Sequence, residues 1–386
     1  MKWIVKRSSE LYVSSSGLSK ASDQFGYGFP FLSYKDVFNN YYAPEKLNTL
    51  VNSTEKDRQK CSVKRGDVFL TRTSETTDEL GMSCVALKDY ENATFNGFTK
   101  RLRPLTEEIV PEYAAYFFRS SYFRAQCQSL ASLITRASLN DGMIRRFKIR
   151  FPKEKKCQEK IGKILLTYDS LIENNTKCIR LLEKMAENLY KEWFVRFRFP
   201  GHEKVEMENG LPKGWNVKRY EDELNIKYGK GLPTNRLTED GFPVFGSNGQ
   251  IGFYTSYMYD TPQILISCRG ASSGVVNISL PKSFVTNNSL VCELTDKTES
   301  VFEYLKYYFL NTNLVQYQTG SAQPQITINN VVKLKMLVPS HEVQCAFSKK
   351  IRVIDKEVAN LQNQNSLLAR QRDLLLPRLM SGKLEI

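Results

Sequence analysis

Ile161 to Trp193 reads IGKILLTYDSLIENNTKCIRLLEKMAENLYKEW, and Phe347 to Leu379 reads FSKKIRVIDKEVANLQNQNSLLARQRDLLLPRL. In the first run Ile161, Leu165, Tyr168, Ile172, Asn175, Ile179, Leu182, Ala186, Leu189 and Trp193 recur at steps alternating four and three. In the second, Phe347, Ile351, Ile354, Val358, Leu361, Asn365, Leu368, Arg372, Leu375 and Leu379 do the same. Such alternation marks a coiled-coil seam, narrower than the apolar stripe of an ordinary surface helix. At 1.5 Å per residue each helix spans roughly 60 Å, more than the width of a small domain. Two such helices in one chain are expected to pack on each other and act as a spacer. The alternative is that each packs separately on its own domain.

Working outward, the rest of the chain repeats itself. Glu112–Phe118 (EYAAYFF) returns at Glu303–Phe309 (EYLKYYF), and Gly28-Phe29-Pro30 at Gly241-Phe242-Pro243. The strand-like run Asp67–Arg72 (DVFLTR) has a partner in Gln263–Arg269 (QILISCR), and Ile144–Pro152 in Val331–Pro339. With the helical runs after those prolines, five features come in the same order, at offsets of 213, 197, 191, 187 and 186 residues. The one-way drift is what small loop deletions in one half would produce, so the chain reads as a duplication. Each half opens with β-branched and aromatic runs bounded by Gly, Asn and Pro, passes through an aromatic-rich helix and one more strand, and ends in a long helix. The expected fold is α+β: two similar mixed α/β domains alternating with two long helices that pair as an antiparallel coiled coil. The boundaries expected are 1–152 for the first domain, 153–198 for its helix, 199–340 for the second domain and 341–386 for the second helix. The Pro/Gly-containing stretch from Phe199 to Gly214 reads as a linker.

Of the 386 residues, 55 are Lys or Arg and 41 Asp or Glu, a net charge of +14. That balance favours a polyanionic partner, because neutralising phosphates releases counterions. Ten Lys/Arg against four Asp/Glu lie between Lys100 and Arg150; the alternative is an ordinary solvated basic face. The eight cysteines form no C-x-x-C pair and there are two histidines, so reduced thiols in a cytoplasm are expected and a zinc site is not. No run is long and apolar enough for a membrane span, and Met1–Glu10 does not read as a secretory signal. Catalytic signatures fail together: there is no Asn/Asp-Pro-Pro-aromatic run, no phosphate-binding G-x-x-x-x-G-K-[ST] loop and no G-x-G-x-x-G after a strand.

Base recognition needs Arg, Lys, Asn and Gln heads on rigid elements beside phosphate-gripping amides and hydroxyls. Three stretches suit: Leu70–Ser74 with Arg72 and Thr73, Phe245–Gln250 with Ser247, Asn248 and Gln250, and Ser267–Ser272 with Arg269 and Ser272. Arg136 and Ser138 in one half, and Gln323 in the other, precede the last strands; Arg101 and Lys230 complete the candidate DNA-binding set. Each loop has the alternative of being an ordinary polar turn. Tyr116-Phe117-Phe118 and Tyr307-Tyr308-Phe309 could stack on bases, but at helical spacing such triplets belong to cores. No catalytic or metal-binding residue is nominated.

The order of features, together with Leu211-Pro-Lys-Gly-Trp215, Gly241–Gly249 (GFPVFGSNG) and Leu376–Gly382 (LPRLMSG), resembles the specificity subunit of type I restriction–modification systems along nearly the whole chain. Two departures stand out: the first half begins at Trp3 without the Leu-Pro-x-Gly that precedes Trp215, and Arg72 lacks the glycine that follows Arg269. The resemblance implies two domains that each read half of a bipartite site in double-stranded DNA, and helices that span an unread gap and dock two modification (methyltransferase) subunits. Restriction subunits (ATP-dependent translocase and endonuclease) would join these. It also implies that the chain is a non-catalytic, cytoplasmic subunit binding no cofactor itself, with S-adenosylmethionine, ATP and Mg²⁺ on the partners. The alternatives are a fragment of a fused restriction–methylation enzyme and a coiled-coil scaffold with incidental basic charge.

The seams also predict a register. Each has one asparagine, fifth in the first helix and sixth in the second, so antiparallel pairing places Asn175 opposite Asn365, Ile161 opposite Leu379 and Trp193 opposite Phe347. Facing asparagines are expected to bond each other and select that register. Tyr168 would face Arg372, with the cation on the ring.

Overall fold

The computed structural model describes residues 2–74, 76, 79–130, 132–133, 137–320 and 323–385. It contains two compact units, Met1–Thr176 with Asn363–Ile386, and Lys177–Gln362. The division falls inside the two long helices, Lys155–Tyr190 and His341–Ser381, rather than at the linker expected from Phe199 to Gly214. The reason is packing: Phe199 is buried against Trp215 with ring centroids 5.2 Å apart, so that stretch belongs to the core of the second unit.

The two units share one topology. In the first, Trp3–Arg7 pairs antiparallel with Lys148–Pro152, and a four-stranded sheet runs in the order Tyr12–Ser16, Thr99–Pro104, Val68–Thr71, Ser83–Val85. A three-stranded sheet has Phe25–Leu32 between antiparallel Thr49–Val51 and parallel Thr94–Phe95. In the second unit Asn216–Arg219 pairs with Lys335–Val338, and the four strands are Leu224–Tyr228, Ser289–Leu294, Ile264–Ser267 and Val276–Ile278. Phe242–Gly246 lies between antiparallel Gly249–Tyr254 and parallel Phe284–Val285. In these three sheets the strand order and the sense of each pairing match between the units. The central strands Val68–Thr71 and Ile264–Ser267 are the unbroken apolar runs of the sequence, buried throughout and paired on both sides.

Two pairs of residues that carry no motif hold equivalent places. A Cβ on Gly17 would meet the Asn96 carbonyl oxygen at 2.3 Å, and one on Gly229 the Thr286 oxygen at 2.3 Å. Only glycine lets those backbones approach so closely. The other pair is Gln158 and Gln344, both fully buried in the first turns of the long helices. Gln158 donates to the carbonyls of Pro152 (2.9 Å) and Glu108 (2.8 Å) and accepts from the Val110 amide (2.9 Å). Gln344 donates to Pro339 (2.8 Å) and accepts from Val301 (2.8 Å). Each amide ties the last strand, the entry to the aromatic helix and the long helix together.

The aromatic helices, Pro111–Phe117 and Phe302–Leu310, belong to the cores rather than forming stacking platforms: Tyr116, Phe117, Phe118, Tyr307 and Phe309 are all buried. Their tyrosines anchor the last strands, Tyr113 donating to the Arg150 carbonyl at 2.8 Å and Tyr304 to that of Leu337 at 2.5 Å. Among the described residues no helix is long and apolar enough to cross a membrane.

The long helices pair antiparallel, and none of the twenty seam residues is exposed. In the first unit Asn175 and Thr176 meet Gln364 and Asn365, while Asp169 meets Arg372. In the second, Trp193 packs on Phe347 at 5.8 Å, the partner the register predicts. The asparagine layer differs from expectation. Asn175 donates to Gln364 at 3.5 Å and Asn365 to Thr176 at 3.4 Å, so each side chain leans to the neighbour of the other instead of bonding it. The Asn365 carbonyl oxygen is buried without a partner. Arg372 also departs from expectation: its guanidinium pairs with the Asp169 carboxylate and lies 4.8 Å from the Tyr41 ring, not on Tyr168. A buried carboxylate, which also accepts from the Tyr116 hydroxyl at 2.5 Å, attracts the cation more strongly than a ring face does.

Two outcomes follow for stability. Gln158→Leu leaves one amide and two carbonyls without their side-chain partner, at about 1–3 kcal/mol for each buried group, and should lower the urea midpoint clearly. Asn365→Leu removes an unsatisfied buried oxygen at the seam and should leave stability unchanged or raise it by about 1 kcal/mol, read as melting temperature; a clear loss would show that the asparagine layer is needed as it stands.

Candidate nucleic-acid interface

In the second unit the loops singled out in the sequence converge at one end of the sheets. The tight turn Ser247–Asn248 joins Phe242–Gly246 to Gly249–Tyr254. Ser247 donates its hydroxyl to the Asn288 carbonyl at 3.1 Å, the Cys268 amide donates to the same oxygen at 2.9 Å, and the Ser267 hydroxyl donates to the Ser247 carbonyl. Ser289 closes the set by donating to Gly246 at 3.1 Å. The turn after Ser267 is pinned from its other side: the Ile326 amide donates to Cys268 (3.0 Å) and the Gly270 amide to Pro324 (3.0 Å), and Arg269 forms a bridge with Gln325. Gly270 (φ 74°) and Gly274 (φ 85°) take the left-handed conformations that let the chain fold back on itself. Lys230 is anchored alongside, its amide donating to Val285 at 3.0 Å and its carbonyl accepting from Asn287 at 3.1 Å.

The turn backbones here are held by hydrogen bonds, while most of the candidate side chains reach solvent. Arg269, Lys230, Asn248, Gln250 and Gln323 are exposed, and Ser247 and Ser272 half-exposed. No side-chain partner holds the Arg269 guanidinium among the described residues. It helps to hold down the pKa of the neighbouring Cys268 thiol, which burial pushes up more strongly. Sequence reading missed Asn287 and Asn288, whose carbonyls and amides cross-link all these turns; an Asn-Asn pair directly before a strand was the available signal.

The first unit brings fewer of its candidates together. The Arg72 amide donates to Phe98 (3.0 Å), its carbonyl accepts from Leu139 (2.9 Å), and Thr73 pairs with Ser138. Phe98, exposed at 63% on the same end, gave no sign in the sequence. Arg136 lies outside the described residues. Arg101 is buried: its guanidinium donates to the Ser62 carbonyl at 2.7 Å, and desolvation lowers its pKa. It occupies the place of Val291 in the other unit, a core position, and is withdrawn from the exposed set.

The two arginines are not counterparts. Val68 pairs with Leu102 and Thr71 with Thr99, as Ile264 pairs with Cys292 and Ser267 with Ser289. That ladder equates Arg72 with Cys268, and Thr73 with Arg269. Side chains alternate between faces, so a slip of one residue sends the two arginines to opposite sides. Accordingly Arg72 is half-buried like a residue facing inward, and Arg269 is exposed.

Among the described residues no group of three or more His, Cys, Asp or Glu is arranged to hold a metal ion. Comparison with known proteins places this arrangement. The specificity subunit of the type I restriction enzyme MjaIX from Methanocaldococcus jannaschii is 25% identical over 407 residues, covering 99% of this chain and 93% of that protein. The specificity subunit of the HindI enzyme from Haemophilus influenzae is 22% identical and covers 92% of this chain and 94% of that protein. In fold, the chain is similar to the crystal structure of a type I restriction–modification S subunit from M. genitalium, with a TM-score of 0.60 at 16% identity over 98% of this chain and 96% of that one. Residues 3–184 and 212–369, one stretch in each half of the duplication, match the family described as type I restriction modification DNA specificity domain, and the chain belongs to that family.

Proposed function

We propose that this chain is the sequence-reading subunit of a multisubunit DNA methyltransferase and endonuclease, with each unit reading half of a bipartite duplex site. The paired helices set the unread gap and dock two modification subunits, to which restriction subunits add. The chain itself carries no catalytic centre in this reading. S-adenosylmethionine belongs to the modification subunits, ATP and Mg²⁺ to the partners, and the assembly works in the cytoplasm. The observation that carries the reading is Arg269: a free guanidinium on a turn whose backbone is bonded from both sides, beside Lys230, Ser247 and Asn248. Base readout needs such a head on a rigid mount, since phosphate contacts position a protein while base-edge contacts specify the sequence. The net charge of +14 supplies the non-specific attraction.

Arg269→Ala should weaken cognate binding by about 1–3 kcal/mol and relax one half-site only. Equal losses on cognate and random DNA would make it a phosphate contact. In the first unit, the ladder makes Thr73 the position matching Arg269, so Thr73→Arg should shift preference in the other half-site more than Arg72→Ala does. Single-molecule sequencing of methylated sites reads both. Reconstitution tests the whole: purified chain with S-adenosylmethionine and DNA should transfer no methyl group until the modification subunits of the same system are added. Methyl transfer or cleavage by the chain alone would overturn the proposal.

A further inference from the structure

The two units differ at the outer edge of the four-stranded sheet. In the first, Ser83, Cys84 and Val85 are fully buried because residues 33–47 lie over them. Tyr42 makes a single parallel bridge to Val85: the Val85 amide donates to the Tyr41 carbonyl at 3.0 Å, and the Ala43 amide to the Val85 carbonyl at 2.9 Å. Arg119 clamps the same segment, donating to the carbonyls of Val37, Phe38 and Asn40 at 2.9, 2.7 and 2.9 Å and to Ser83 at 2.7 Å. The Tyr41 ring lies 5.1 Å from Tyr116, with Arg119 and Arg372 at 5.4 and 4.8 Å from its centre.

The second unit has the same frame without the cover. The segment corresponding to 33–48 is reduced to the turn at Ser247–Asn248. Val276–Ile278, the counterpart of Ser83–Val85, is half-exposed along its length and ends the sheet. By the alternation of an antiparallel ladder, the amide and carbonyl of Ile278 face away from Ile264–Ser267, as those of Val85 face Tyr41 and Ala43. Leu310 stands where Arg119 does and is 45% exposed; Ala186 stands where Arg372 does. What remains is an open cleft of about 480 Å³ in which Tyr307, Leu310, Ile354 and Val358 are joined by Glu183, Glu187 and the Lys306–Asp355 ion pair, the ammonium lying 5.1 Å from the centre of the largely buried Tyr307 ring. The helix that carries Tyr307 packs on Val276–Ile278.

We propose that the second unit binds an extended segment of a partner protein at this edge, which adds a strand to Val276–Ile278 and seats an aromatic side chain on Tyr307. Strand addition supplies main-chain hydrogen bonds and the cleft supplies side-chain selection, as in other edge-binding domains. The first unit does in cis what the partner does here in trans. Glu183, Glu187 and Asp355 outnumber Lys306 in the lining, so the segment is neutral or basic beside the aromatic residue.

The test uses the full chain and a synthetic peptide of residues 36–47, DVFNNYYAPEKL, which carries the cis segment itself. Fluorescence anisotropy should give saturable binding with a Kd below about 1 mM. Hydrogen exchange should slow at residues 276–278 and 304–311. A peptide with Tyr41→Ala should bind at least about tenfold more weakly, a loss of about 1.4 kcal/mol. Leu310→Arg in the protein rebuilds the clamp and should tighten binding of the unaltered peptide. No binding up to about 1 mM by either protein overturns the proposal, as does binding indifferent to Tyr41 or protection confined to other strands.

Discussion

The strands cover only one side of each aromatic helix, and closing the other side is what the architecture is built around. In the first unit the outer side of Pro111–Phe117 is sealed by Ile161 and Leu165 from one long helix and by Leu376, Leu379 and Met380 from the far end of the chain. In the second the same role falls to Ala186, Tyr190, Trp193 and Phe194 with Phe347 and Ile351. Burying a large apolar side chain is worth about 1.5–3 kcal/mol, so each unit draws a substantial part of its core from helix segments remote in sequence. This is why compactness divides the chain inside the helices, and why residues 363–386 belong with the first 176.

Between its buried ends the seam is only half-buried. Polar residues are tolerable in such a stretch because water reaches them from the flanks. Arg372 and Asp169 mark where this regime gives way to a core: both are largely buried, and they are compatible with that only because each neutralises the other and Tyr116 adds a hydrogen bond. The second unit puts Lys306 against Asp355 at 2.7 Å and has Ala186 in place of the arginine. The aspartate is retained in both halves while its cation comes from a different element.

A common frame with different loops is what a reading protein needs. Gly17, Gly229, Gln158 and Gln344 fix the frame through backbone contacts that tolerate no alternative side chain. The loops between Leu32 and Thr49, and between Gly246 and Gly249, occupy the same topological slot yet share neither length nor composition. Despite that difference the ladder registers are the same in both units, so one scaffold accommodates both loops without refolding.

The sequence by itself determined the duplication, the fold class and the two long helices, because heptad spacing and strand runs are local patterns with a fixed physical period. It also determined most of the second unit's turn chemistry, where Gly270 and Gly274 advertise left-handed backbone. Only the tertiary structure decided which arginine faces out. By eye DVFLTR and QILISCR align on their arginines, but ladder pairing sets Arg72 against Cys268, and one residue is half a pleat. Likewise Arg101 sits in a run of basic residues yet is buried, because its strand is paired on both sides and covered on both faces, with Thr99 to Leu102 all buried. Nor could spacing foresee that Asn175 and Asn365 lean past each other, since a seam position gives the layer of a side chain and not its rotamer.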